Sequence, residues 1–116
     1  MRLDLLMTDK ITDSQSFIKF INDHQLVFVD FFTTWCEPCK VLDQILDRIS
    51  NKLPDGMEMV KLDSDKFPRL ASDYQIKSAP VLFIFKNGEI AWRMNGFMMD
   101  DDLLKILHDV SRGTSS

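Results

Sequence analysis

The sequence predicts an α/β fold: a central mixed sheet of five strands, flanked on both faces by four helices. Three observations carry that expectation. Two runs, Leu26-Val27-Phe28-Val29-Asp30-Phe31-Phe32 and Val81-Leu82-Phe83-Ile84-Phe85, are apolar almost throughout, as strands covered on both faces are. Amphipathic stretches at helical spacing alternate with the strands of the first half, which calls for right-handed crossovers and a layered sheet. Asn87-Gly88 supplies the positive φ angles of a two-residue hairpin turn, so the last two strands run antiparallel.

Taken in order, Leu3 to Leu6 predict a short first strand. Thr12-Asp13-Ser14-Gln15 matches a capping box, and Phe17, Ile18 and Ile21 recur at helical spacing, so a helix is expected to run to about Asp23. Leu26 to Phe32 then reads as a central strand of a parallel sheet, with Asp30 as its one polar residue. Val41, Leu42, Ile45, Leu46, Ile49 and Leu53 trace one stripe of a long helix that stops near Pro54-Asp55-Gly56. Met57 to Leu62 predicts a further strand, and a short helix with Pro68 near its start packs Leu70, Ala71 and Tyr74. Ala79-Pro80 opens the second buried run, which the hairpin joins to Ile90-Ala91-Trp92-Arg93-Met94. Asp100, Asp101 and Asp102 set negative charge at a helix N-terminus, Leu103, Leu104, Ile106, Leu107 and Val110 supply its buried face, and Gly113 ends it.

At 116 residues and 45% hydrophobic, the chain fits one domain, expected over 1–112, with 113–116 as a disordered tail. A formal charge of -4 without a Lys/Arg cluster argues against nucleic acid. No apolar run reaches the ~18 residues that a membrane span needs. Asp4, Asp9 and Lys10 interrupt the N-terminal apolar patch, so it does not read as a signal peptide. A cytoplasmic location is the expectation, or a periplasmic or exported one had a leader been removed.

Both cysteines of the chain fall in Trp35-Cys36-Glu37-Pro38-Cys39. The motif lies where the central strand hands over to the long helix, which puts Cys36 at a helix N-terminus and Cys39 in the first turn. Side chains three apart there lie ~5–6 Å from one another, close enough to bridge after a small adjustment. Unpaired N–H groups and the positive helix end favour an anion, drawing the Cys36 thiol below the free value of ~8.5. Cys36 is then the attacking thiolate. Cys39, expected to be the more shielded of the two, resolves the mixed disulfide. Pro38, with φ already near the helical value, suits the first turn and stiffens the ring that must close. Two other readings compete: a pair of ordinary reduced thiols, and part of a metal site. The second lacks ligands, since His24 and His108 stand in unrelated places without ligand spacing. Asp30, a carboxyl inside an apolar strand, is expected to be partly buried and pushed upward by loss of water.

The chain resembles the thioredoxin family over nearly its whole length. The resemblance rests on Val29-Asp30-Phe31, on Trp35-Cys36-x-Pro38-Cys39-Lys40, and on Ile76-x-x-Ala79-Pro80 before a hydrophobic strand. Phe85-Lys86-Asn87-Gly88-Glu89 and Gly96 before the last helix complete it. It implies the thioredoxin fold and a protein-disulfide oxidoreductase, mainly a reductase. The only redox group implied is the Cys36-Cys39 disulfide, with no bound cofactor and no metal. A cis bond at Ala79-Pro80 follows by the same resemblance, with Pro80 packed on the cysteines and the Ala79 backbone pairing with an extended client segment. Asp30 becomes the proton acceptor and donor for Cys39, and Lys61 a charge near Asp30. Trp35, Glu37, Pro38, Ala79 and Gly96 shape the client surface, with Phe67, Pro68 and Ser78 as neighbours. The implied partners are disulfide-bearing client proteins and an NADPH-dependent thioredoxin reductase, and the implied state is a monomer. Rival readings keep the fold but make it an exported oxidase or isomerase, or a binding module with little turnover.

Four positions depart from the family pattern. Glu37 stands where Gly is usual, and its carboxylate beside the thiolate predicts a slightly shifted reduction potential. Phe32 replaces a tryptophan. Gln44 replaces a helix-bending proline, so a straighter helix is expected. Ala79 is smaller than the usual residue before the proline and leaves more room in the groove.

Overall fold

The structure, a computed structural model, describes residues 8–113. The elements are α1 (Ser14–Asp23), β1 (Leu26–Phe32), α2 (Glu37–Ile49), β2 (Met57–Asp63), α3 (Pro68–Asp73), β3 (Val81–Lys86), β4 (Glu89–Asn95) and α4 (Asp100–Ser111). The sheet has four strands among the described residues, in the order β2-β1-β3-β4, rather than the five expected. The remaining strand expected from the sequence, Leu3 to Leu6, lies outside the described residues. β1 pairs in parallel with β2 and antiparallel with β3, and β3 pairs antiparallel with β4. β1 is therefore central, as its double-sided apolar run requires, but only one of its two neighbours is parallel.

Alternation along β1 divides the interior in two. Val27, Val29 and Phe31, with Phe83 and Phe85 of β3, pack on Phe17, Phe20 and Ile21 of α1 and Leu70 of α3. Leu26 and Phe28, with Leu82 and Ile84, face Leu42, Ile45, Leu46 and Ile49 of α2 and Leu103 and Leu107 of α4. Each such side chain contributes about 1.5–3 kcal/mol by leaving water. Asp30 shares the strand face of Leu26 and Phe28, so the sheet delivers it beneath α2.

Several local boundaries differ from the sequence reading. The N-cap of α1 is Asp13, not Thr12: its Oδ1 accepts the Ser16 N–H at 2.8 Å, and the Ser16 Oγ accepts the Asp13 N–H at 3.0 Å. The box is shifted by one residue because a carboxylate is a strong cap acceptor and the Ser16 hydroxyl reaches back from N3. The helix buries Phe20 and leaves Ile18 exposed. α2 stops at Ile49, and Leu53 reaches the second core from the connection that follows. Val41, on the flank of the α2 stripe, is exposed. The helix is uninterrupted through Gln44, which points to solvent. α4 has no side-chain cap at Met99; three aspartates fill its first turn, and Asp100 receives both the Nε and Nη2 of Arg48 at 2.8 and 2.9 Å. That fork ties α2 to α4 and holds the Asp100 carboxyl below the usual carboxylate range. Its contribution is present at neutral pH and fades as acid protonates Asp100 in the fold. Gly113, counted with the tail in the sequence reading, takes φ +79 and donates to Val110 O at 3.0 Å, closing the helix.

The hairpin is as expected, with Asn87 at φ 53 and Gly88 at φ 84. The sequence gives no sign of a second non-glycine in the left-handed region, Gln75 at φ 54, directly after α3. Arg93 of β4 secures it, donating to Tyr74 O at 2.6 Å and Gln75 O at 3.0 Å with its guanidinium 5.0 Å from the Phe83 ring centre. Left-handed backbone is costly for a side chain with a Cβ, and these bonds use only backbone acceptors. Gln75→Gly is therefore expected to raise unfolding free energy by about 1 kcal/mol in urea titration, whereas Arg93→Ala lowers it. A glycine variant less stable than the parent would contradict this account of the turn.

Candidate active site

β1 ends at Phe32, and the chain turns through buried Thr33 and exposed Trp35 into α2. Cys36 is the N-cap of that helix, with extended φ -99 and ψ 114, and its sulfur accepts the Cys39 N–H at 3.1 Å. This is the position that Ser, Asp or Asn usually fills with an oxygen. Glu37, Pro38 and Cys39 form the first helical positions, with proline where no N–H is needed. Cys36 and Cys39 are joined as a disulfide, their Cα atoms 5.3 Å apart. The two cysteines are 5% and 4% exposed, so the greater shielding expected of Cys39 is not found. What separates them is position: one sulfur lies on the helix terminus with an N–H aimed at it, and the other belongs to the buried stripe of α2.

The Ala79-Pro80 peptide bond is cis. The Ala79 carbonyl oxygen lies 3.4 Å from the Cys36 sulfur. Pro80 is buried, and its carbonyl accepts the Gly96 N–H at 2.8 Å, which places the β4–α4 connection behind the Ala79-Pro80 segment.

Asp30 is fully buried, opposite Lys61 on β2 and Leu82 on β3. Removal from water disfavours its charged form. Lys61 lies on the same sheet face, and its ammonium pairs with Asp43 of α2 and sits 5.2 Å from the Phe32 ring centre. Lys61 is thus a nearly buried ammonium with a carboxylate partner, 12% and 38% exposed respectively, rather than a plain surface lysine. Asp43 was not singled out from the sequence. Its one signal there is its place on the flank of the α2 stripe, four residues after Cys39.

Trp35 is 72% exposed, and its indole Nε1 donates to Asp65 Oδ2 at 3.1 Å. Asp65 follows β2 and is itself fixed through its N–H by Asp63 Oδ1 at 2.9 Å. It too escapes sequence reasoning, because thirty residues separate it from its partner. A groove of about 440 Å³ opens between Trp35, Pro68, Ile76, Ser78 and Ala79. Of the neighbours expected for Trp35, Pro68, Ser78 and Ala79 line this groove, Phe67 packs against the first core instead, and Gly96 sits at Pro80. Glu37 is directed at Lys40, Nζ to Oε2 3.0 Å, so its carboxylate is partly offset beside the sulfur.

Among the described residues no group of three or more His, Cys, Asp or Glu side chains could hold a metal ion. His24 stacks on Phe20 and bonds its carbonyl, and His108 bonds Lys52 O, both far from the sulfurs in the chain. No described helix is long and apolar enough to cross a membrane.

The arrangement can capture and release a sulfur atom, and comparison with known proteins agrees. Residues 8–109 match the family model described as Thioredoxin. The chain is 41% identical over 81 residues to a thioredoxin-like protein of Synechocystis sp., covering 70% of this chain and 77% of that one. It is 37% identical over 98 residues to the thioredoxin of Rickettsia prowazekii, covering 84% and 93%. Among solved structures, Plasmodium falciparum thioredoxin superposes with a TM-score of 0.76 at 28% identity, covering 85% of this chain and 95% of that one.

Glu37 and Lys40 are both exposed, so water and salt weaken the field of each at the sulfur. Glu37→Gly is expected to move the reduction potential of the Cys36/Cys39 couple by less than about 15 mV against glutathione. A shift of twice that size would mean that the carboxylate acts on the sulfur despite that screening.

Proposed function

The chain belongs to the thioredoxin family and is a thiol-disulfide oxidoreductase, and on that premise we propose how its residues divide the work of reducing protein disulfides. Cys36, as thiolate, attacks one sulfur of a client disulfide; the client's other sulfur leaves as a thiolate, and a Cys36–client mixed disulfide forms. Cys39 then passes its proton to the Asp30 carboxylate and attacks the Cys36 sulfur. The second client thiolate departs, and the Cys36-Cys39 disulfide holds the oxidising equivalents. Two electrons from an NADPH-dependent thioredoxin reductase restore the dithiol.

The observation that carries this reading is the Cys36 sulfur as helix N-cap, accepting the Cys39 N–H at 3.1 Å. A bond of that kind strengthens when the sulfur is an anion, so it stabilises the leaving and attacking form of Cys36 alone. Asp30 supports its part by lying on the sheet face that α2 covers, the same interface into which Cys39 is buried. Lys61 tempers that acid electrostatically from the neighbouring strand. Pro80 and the Ala79 backbone form the wall along which an extended client segment runs, and Trp35, Glu37, Pro38 and Gly96 frame the approach. The proposed setting is a reducing compartment such as the cytoplasm, with the protein acting as a monomer and with no bound cofactor.

Two measurements test this. In insulin reduction, Cys36→Ser is expected to abolish turnover, while Cys39→Ser retains one attack and accumulates a mixed disulfide visible by intact mass. Residual turnover in Cys36→Ser would remove Cys36 from its role. The couple's potential is expected near the general family value of about -270 mV, and a value near -120 mV would turn the protein into an oxidase.

A further inference from the structure

Beside the second core lies an ionic pair that the disulfide chemistry does not itself consume. Lys61 carries its ammonium into the space between β2 and α2, over the Phe32 ring, and Asp43 meets it from the helix. Across the parallel ladder Lys61 stands opposite Asp30, one strand spacing of ~4.8 Å away, with both side chains on the α2 side. The groups that α2 turns towards this space are Cys39 and Asp43, β2 brings Lys61, β3 brings only Leu82 opposite Asp30, and α4 brings Leu103 and Leu107. In this partly buried setting solvent screens an ammonium incompletely, and where it is anchored decides which carboxylate it serves.

We propose that Asp43 is a positioning residue for the resolving step: it holds the Lys61 ammonium on the α2 side and so limits how strongly that cation favours the ionised form of Asp30. The inference rests on the proton-transfer role given to Asp30 above. With Asp43 in place, cation and carboxylate form a nearly neutral pair as felt from Asp30, which retains its proton affinity. Once the carboxylate is lost, the cation is uncompensated and free to lean towards β1. Both effects have the same sign and ease ionisation of Asp30. Asp43, one helical turn after Cys39, also ties the helix that carries both sulfurs to β2, the strand beside Asp30.

The test follows the Asp30 carboxyl carbon by NMR titration in the reduced full-length protein, in parallel with the pH profile of the resolving rate. Asp43→Asn is expected to lower the Asp30 midpoint, and with it the acid limb of the rate profile, by about half a unit to one unit. Asp43→Glu is expected to restore the parent midpoint, and Lys61→Met to raise it. On the Lys61→Met background, Asp43→Asn is expected to have a smaller effect, since the loss of its own charge remains but there is no ammonium to move. An unchanged midpoint in Asp43→Asn, or the same shift with and without Lys61, overturns the proposal. Should the midpoint move while the rate profile stays fixed, Asp30 loses its role in resolution and the hold of Asp43 on Lys61 stands.

Discussion

One N–H···S contact organises this molecule. A helix start leaves its first backbone donors without partners, and α2 satisfies one of them with the sulfur of Cys36 instead of a side-chain oxygen. The same donor therefore supports the helix in one redox state and the anion in the other. This is why the reactive residue is at a strand-to-helix junction and not on a loose loop: the junction supplies oriented N–H groups and a fixed distance to the second sulfur. β1 fixes where the turn begins, and the Ala79-Pro80 segment stands against it at 3.4 Å.

The two apolar layers make room for the charges. Sealing Asp30 inside the sheet is unfavourable by several kcal/mol if it must ionise without compensation. The molecule tolerates this because β1 is held on both sides by long ladders and on both faces by helices. Into the second layer it admits a cation and a further carboxylate, each from a different element. The first layer is built on Phe17, Phe31, Phe83 and Phe85, whose rings meet edge to face, tilted or stacked at 5.5 to 6.3 Å. Chemistry is confined to the other layer.

What the sequence revealed follows from which signals are local. β1 and β3 were legible because strands covered on both faces leave no polar alternation, and the hairpin because Asn87-Gly88 is one of few pairs that accept its angles. The cysteine pair was legible because a strand run and a helical stripe meet there. Ile18 and Val41 were misjudged for one reason: periodicity gives the direction of an apolar stripe but not its width, which depends on how far the sheet extends beneath the helix. Trp35–Asp65 and Lys61–Asp43 were invisible because each joins side chains that only the fold brings together. The equal shelter of the two sulfurs was missed because the Ala79-Pro80 segment, more than forty residues downstream, covers the first of them.

β4 is the outermost strand beside β3, and most of its side chains are exposed. Its register slips between Ile84 and Phe85, where Ile90 rather than Ala91 faces Phe85, so the ribbon kinks midway. An exposed edge strand can zip onto the same strand of another copy. The kink, together with the charged Glu89 and Arg93, spoils a straight template for such growth. Self-avoidance is thus written into this border of the sheet.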